Sequence, residues 1–246
     1  MPVIYLSPST QEGNFYVNGG SEEEWMNRLA DAMVPYLNAS GIAYTRNSPE
    51  MTAASSIRAS NAGDYDLHLA LHSNAAPEGR YGQARGILVF YYPTSTEGRR
   101  ASLLIADGLK NIYPLPNKVR AQGTTAIGEV RKVRAPSSFL ELGYHDNPDD
   151  ATWVKQNIDL IARNIVLSLT EYFGIPFLEP APARQALVDV SWGYLNIRSR
   201  PDPAAPIVAE AYDGAALTVL GQYEDWYLVQ FDGDTGYASA DFVTLV

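Results

Sequence analysis

The stretch Tyr65–Ala75, YDLHLALHSNA, alternates with period two: Leu67, Leu69 and Leu71 share one face of a strand, and His68, Ala70 and His72 share the other. The polar run Ser73-Asn74 follows. Upstream, Val3–Leu6 is a short apolar run of the buried-strand kind. Ser21 followed by Glu24 forms a capping-box pattern. Trp25, Met26, Leu29, Ala30, Met33, Val34 and Leu37 then recur at helical spacing until Gly41. Ile42–Thr45 reads as a strand, and Thr52 caps a helix running to about Asn61. Downstream come a strand at Ile87–Tyr92, a helix at Glu97–Asn111, a last strand at Ser138–Leu142 and one long helix over Pro148–Phe173. Strand–helix alternation of this kind predicts an α/β fold with a mostly parallel sheet and helices on both faces.

Beyond that helix the sequence changes character. Residues 176–185 form a Pro-rich linker, which disfavours helix and favours an extended spacer. From Ala186 to the end there are nine acids against two bases, Arg198 and Arg200. Short runs rich in Val, Tyr and Leu alternate there with Gly, Asp and Pro turns: Leu195–Ile197, Ile207–Glu210, Ala216–Leu220, Trp226–Phe231 and Gly236–Ala238. That pattern predicts a small all-β barrel over 186–246, after an α/β domain over 1–175.

Composition removes several function classes. A formal charge of −10 over 246 residues argues against nucleic-acid binding and against attraction to anionic lipid. The longest apolar candidate for a membrane span, Ile158–Leu169, is interrupted by Asp159, Arg163 and Asn164. The start, MPVIYLSP, shows no basic n-region and no h-region of a signal peptide. With no cysteine there are no disulfides, thiolate metal sites or cysteine nucleophiles, and histidine chemistry must draw on His68, His72 and His145.

Ligands of an open parallel sheet bind beyond the carboxyl ends of its strands. Three residues fall there. His72 ends its strand, Glu141 lies near the end of the last strand in FLELGYHDNP, and Glu23 lies in the first turn of the helix after strand one. The helix dipole favours the ionised Glu23 that a metal ligand requires. A His and a Glu ligand with a free Glu base outline a zinc hydrolase. Each residue also has a plain reading, as a dipole-compensating surface acid for Glu23 and a hydrogen-bonded structural histidine for His72. Glu141 interrupts an apolar strand, where an unpaired charge is costly.

These pieces, in this order, resemble the zinc-dependent N-acetylmuramoyl-L-alanine amidases of the type-3 family over about residues 1–175. IYLSPS stands at the family's first strand, and Glu23, four residues before Asn27, at its ligand glutamate. DLHLALHSNA matches the His-x-Asn motif, implying a ligand at His72 and a supporting residue at Asn74. Arg131 and Pro136 precede FLELGYHDNPDD, where the resemblance implies a catalytic Glu141. YLNIRSRPDP at 194–203 and DWYLVQFDGDTGYASADFV at 225–243 resemble a bacterial SH3 domain, which implies an SH3-like barrel that binds cell wall.

The sequence departs from the family at its first histidine ligand, because Ser7-Pro8-Ser9-Thr10-Gln11 holds none. About 13 Å of strand separates His68 from His72, too far to share one zinc. His145 lies past the catalytic stretch. The replacement is the side-chain oxygen of Gln11, or water; an amide oxygen is a weaker ligand than imidazole, so either zinc affinity is expected to be reduced or the metal to differ.

The resemblance implies one Zn2+ per chain held by Glu23 and His72, with Gln11 read as standing in for the missing histidine, Glu141 as general base and Asn74 and Arg131 toward substrate; Arg134 is a further partner for substrate carboxylates, and a surface role is the plain reading of both arginines. The implied partners are peptidoglycan and muropeptides at the cell wall or outside the cell, without nucleic acid or membrane insertion, and the chain is expected to be a monomer. Two alternatives stay open: a catalytically impaired peptidoglycan-binding protein, and a zinc carboxypeptidase-like enzyme.

Overall fold

The computed structural model describes residues Met1–Val246 and divides into two compact units. One comprises Val3–Val34 and Tyr44–Tyr172; the other comprises Phe173–Val246 with Met1–Pro2 and Pro35–Ala43.

The first unit is built on strands β1 (Val3–Pro8), β2 (Ala43–Arg46), β3 (Leu67–Asn74), β4 (Ile87–Tyr91), β5 (Val119–Gly123) and β6 (Ser137–Tyr144). They lie in the order β2-β1-β3-β6-β4-β5. β1, β3 and β6 run parallel, β4 is antiparallel to β6, and β5 is parallel to β4. The helices are α1 (Glu22–Ala39), α2 (Ala53–Ala62), α3 (Thr96–Lys110), α4 (Gly128–Arg131), α5 (Pro148–Gln156) and α6 (Ile158–Phe173). The expected α/β architecture with a mostly parallel sheet is therefore present.

Local chemistry explains the element ends. Ser21 Oγ accepts the Glu24 amide at 3.1 Å, and Thr52 forms a capping box with Ser55. Gly41, at φ +71°, closes α1 in a left-handed turn in which the Ile42 amide reaches Leu37 O at 2.9 Å. Three expectations change. The long C-terminal helix breaks at Asn157, whose side chain donates to Trp153 O at 2.7 Å, while the next helix starts beyond it. β5 and the four-residue α4 are additional. Both are too short for periodicity to mark them.

The central strand β3 lies between β1 and β6 and is buried on both faces until Asn74. His72 is the register partner of Glu141 on β6. The register then shifts, because Asn74 pairs with Tyr144. The extra residue in β6 is accommodated by Gly143 at φ +71°, where a Cβ would lie 3.2 Å from Asp150 Cβ. This bulge gives the sequence Glu141-Leu142-Gly143 its structural sense.

Asp150 holds the bulge from below. It is wholly buried. Its Oδ2 accepts from Tyr144 N at 3.1 Å and Gly86 N at 3.0 Å, and its Oδ1 from Tyr113 Oη at 2.6 Å and Arg85 Nε at 3.0 Å.

The second unit is a seven-stranded antiparallel sheet of β7 (Arg184–Val188), β8 (Tyr194–Arg198), β9 (Ile207–Tyr212), β10 (Ala216–Tyr223), β11 (Trp226–Phe231), β12 (Asp234–Ser239) and β13 (Val243–Leu245). Its core gathers Val188, Ile197, Ala211, Val219, Val229 and Ala238. β7 begins at Arg184, inside the segment expected to be linker, because its backbone pairs with β10 and β13. No helix in the chain is long and apolar enough to cross a membrane.

Asp150→Ala leaves Arg85 Nε, the Tyr113 hydroxyl and two backbone amides without their acceptor, while Arg85 Nη1 keeps Asp149. We expect a loss of about 3–5 kcal/mol in urea unfolding, the usual cost of breaking a buried charged pair from one side. A loss below about 1 kcal/mol would show that water replaces the carboxylate.

Candidate active site

Position on the helix decides which N-terminal glutamate of α1 points inward. Glu22 lies four residues before Met26 and seven before Leu29, both wholly buried, and is itself buried. Glu23 lies four residues before the half-buried Asn27, and its carboxylate accepts from Asn27 Nδ2 at 3.3 Å. The glutamate that meets His72 is thus Glu22, not the expected Glu23. The spacing to Met26 and Leu29 was the sequence signal for it.

Glu22 Oε1 lies 2.8 Å from His72 Nδ1 and accepts the Ser73 amide at 3.3 Å. Its Oε2 accepts Asn14 Nδ2 at 2.6 Å. On the other side of the imidazole, Nε2 lies 3.3 Å from Oε2 of Glu129, a residue the sequence reading did not single out. Glu129 sits on α4, which covers the His68–Ala70–His72 face of β3, with Val130 packed against Ala70 and Phe139. The Phe139 ring stacks on His72 at 4.3 Å between centroids and fixes its plane.

Two carboxylates on one buried imidazole set its charge. Burial opposes the imidazolium, but the hydrogen bonds from Glu129 and Glu22 outweigh it and push His72 up to about 9. Burial likewise opposes the Glu129 anion, yet its bonds to His68 and His72 hold it down to about 2. Glu22 is lowered for the same reason, burial being overcome by His72 and Asn14.

Glu141 faces the same imidazole from β6 and has a different balance. Burial pushes its carboxyl up to about 7; the His72 charge opposes this and the Glu22 charge adds to it. Its Oε2 is buried without a hydrogen-bond partner. An orphaned acid oxygen beside a His–Glu pair is placed to take up a proton from a bound molecule.

The remaining expected residues fall as follows. Gln11 reaches the site: its Nε2 lies 3.2 Å from His72 Nδ1, and its Oε1 accepts from Asn14 Nδ2 at 3.0 Å. The nitrogen end of the amide, not the expected oxygen, therefore faces His72. Asn74 turns into a local bond to the Ala75 amide at 2.9 Å, beyond the bulge that separates it from His72. Arg131 ends α4 with an exposed side chain outside the hydrogen-bonded cluster. Arg134 pairs with Asp64 at 2.7 Å and with Asn61, a surface brace. His145 is buried, with Nδ1 3.1 Å from Ser73 Oγ, so it buttresses the end of β3. His68, set apart by its spacing along the strand, is joined to His72 through the two oxygens of Glu129.

The donors fit a divalent ion in kind: a carboxylate oxygen and an imidazole nitrogen 2.8 Å apart, with the orphaned Glu141 oxygen close by. In number they fall short, because no three His, Asp or Glu side chains form a metal-holding group. A cavity of about 380 Å³ opens beside the cluster, lined by Thr10, Gln11, Asn47, Ser56, His72 and Glu129.

The family model described as N-acetylmuramoyl-L-alanine amidase matches residues 8–171. The chain belongs to this family. The model described as bacterial SH3 domain matches residues 193–244 of the amidase-family chain. A curated relative, the germination-specific N-acetylmuramoyl-L-alanine amidase of Bacillus subtilis (strain 168), is 28% identical over 116 residues, 46% of this chain and 47% of the relative. The matched stretch thus spans about half of that relative's length. The amidase AmiC2 of Nostoc punctiforme superimposes with TM-score 0.60 at 14% identity, over 70% of this chain and 97% of its own. The catalytic domain of the amidase CwlV from Bacillus (Paenibacillus) polymyxa var. colistinus gives TM-score 0.62 at 13% identity, over 72% and 100%. At these identities the two structures establish the fold.

The raised Glu141 predicts a pH-dependent stability. Between about 4.5, its ordinary value, and about 7, the folded state binds more protons than the unfolded state, so stability falls as pH rises through that window. In metal-free amidase-family protein, Glu141→Gln is expected to raise stability by roughly 1–3 kcal/mol at pH 8 and to have little effect near pH 4. Melting curves across this range check it; a difference that is the same at every pH would contradict the raised carboxyl.

Proposed function

We propose that this chain is a peptidoglycan hydrolase. It cleaves the amide between the lactyl group of N-acetylmuramic acid and L-alanine of the stem peptide, acting as a monomer on peptidoglycan and muropeptides at the cell wall or outside the cell. The observation that carries the reading is the facing of His72 and Glu141 across β3 and β6, with Glu22 on the imidazole and Glu141 Oε2 left without a partner. Membership of the amidase family supplies the reaction class.

Glu22 Oε1 and His72 Nδ1 would hold one zinc ion, with the Gln11 oxygen, brought round by a half-turn of its amide, as a weaker third donor. When bound, zinc supplies Lewis acidity toward the scissile carbonyl and acidifies water. The chain's own residues do the rest. Asn14 and the Ser73 amide fix Glu22. Glu141 accepts the proton of the attacking water and passes it to the leaving amine nitrogen as the C–N bond breaks. Exposed Arg131 is available to a substrate carboxylate, and Asn74 shapes the turn that follows the strand of His72.

The all-β unit carries a groove of about 660 Å³ lined by Trp192, Tyr194, Trp226, Phe242 and Arg198. Trp192 is 88% exposed. An aromatic groove with this much uncovered surface supports a role in holding the wall.

In Glu141→Gln, turnover is expected to fall by at least ~10²-fold, while zinc and peptidoglycan binding persist. The measurement is amide cleavage of a short muropeptide per mole of folded protein. Wild-type protein that binds peptidoglycan and cleaves none with zinc added would leave only the binding role. Gln11→His restores an imidazole at the short-handed position and is expected to tighten zinc in a chelator titration. Unchanged or weaker affinity would place Gln11 outside the donor set.

A further inference from the structure

Glu129 is a buried carboxylate that the reaction as described does not use. It is 5% exposed and makes three contacts: Ser7 Oγ donates to its Oε1 at 2.6 Å, His68 Nε2 lies 3.3 Å from the same oxygen, and His72 Nε2 lies 3.3 Å from Oε2. His68 is itself tied down, with Nδ1 2.9 Å from Ser60 Oγ and its ring stacked on Tyr5. Ser7 sits on β1, His68 and His72 on β3, and Ser60 on α2. Glu129 is therefore held from β1 and β3, with α2 bracing His68 behind it, and its Oε2 is delivered to one atom, His72 Nε2.

An imidazole has one proton to place when it serves a metal. If Nδ1 is to stand beside Glu22 as a donor, the proton must reside on Nε2 and needs an acceptor there. Histidine ligands ordinarily find that acceptor in a carboxylate, and losing it costs about 10–100-fold in metal affinity. Resting on the zinc reading above, we propose that Glu129 is the positioning residue for His72: it holds the proton on Nε2 and turns Nδ1 toward Glu22. His68 and Ser7 serve Glu129 in turn, which gives a function to a histidine too far along the strand to act itself.

The test uses the full chain with 15N-labelled histidine, wild type and Glu129→Gln, with zinc competed against a chelator. In the wild type, the zinc-loaded protein should show a slowly exchanging His72 Nε2–H. In Glu129→Gln, that resonance should shift or vanish while those of His145 stay in place, and zinc affinity should fall about 10–100-fold. A folded Glu129→Gln protein with unchanged zinc affinity and an unchanged His72 signal would overturn this inference and leave the zinc reading standing. Wild-type protein that takes up no zinc would overturn the zinc reading itself. Should the variant not fold, the wild-type spectrum decides, because a rapidly exchanging His72 Nε2–H is incompatible with a bond to Glu129.

Discussion

The rest of the amidase-family domain is organised around one buried imidazole held between two carboxylates. Isolated, any of the three charges would be expensive so deep in the sheet. In the cluster, the His72 imidazolium attracts both Glu22 and Glu129 and offsets part of their charge, and each of the three lies on a different element: α1, β3 and α4. Those elements must arrive in register for the charges to meet. The cluster therefore selects one packing of the helices on the sheet as well as defining a site.

Glu141 shows how the same neighbourhood produces the opposite result. It lies across the register from His72 on the adjacent strand. Glu22 and Glu129 already occupy the two imidazole nitrogens, so no hydrogen bond remains for Glu141 Oε2. Burial then dominates, and its carboxyl rises to about 7 while theirs fall. The bulge at Gly143, held by Asp150, turns the chain directly after this residue. One glycine conformation and one buried aspartate thus shape the end of the strand that presents the acid.

Much of this was legible in the sequence. Alternation in Leu67–Leu71 marked the central strand, and the capping patterns at Ser21 and Thr52 marked two helices. His72 was visible at the end of its strand, and Glu141 because it interrupts an apolar one. The first-turn position and the offset to Asn27 point to Glu23, whereas the helical period tied to Met26 and Leu29 points to Glu22. Glu129 was out of reach for a different reason. A glutamate in a four-residue helix carries no periodic signal, and its meaning depends on a chain crossing that brings residue 129 onto a strand near residue 70. His68 was judged by distance along its own strand, which is the right measure for sharing a metal and the wrong one for sharing a carboxylate.

The cluster sets one imidazolium against two carboxylates held in the ionised form. The imidazolium offsets one carboxylate and attracts the other, and its nitrogens lie 2.8 Å from Glu22 Oε1 and 3.3 Å from Glu129 Oε2. Glu129 binds the nitrogen that Glu22 leaves free, so the ring is fixed from both ends, and Phe139 stacked on its face fixes its plane.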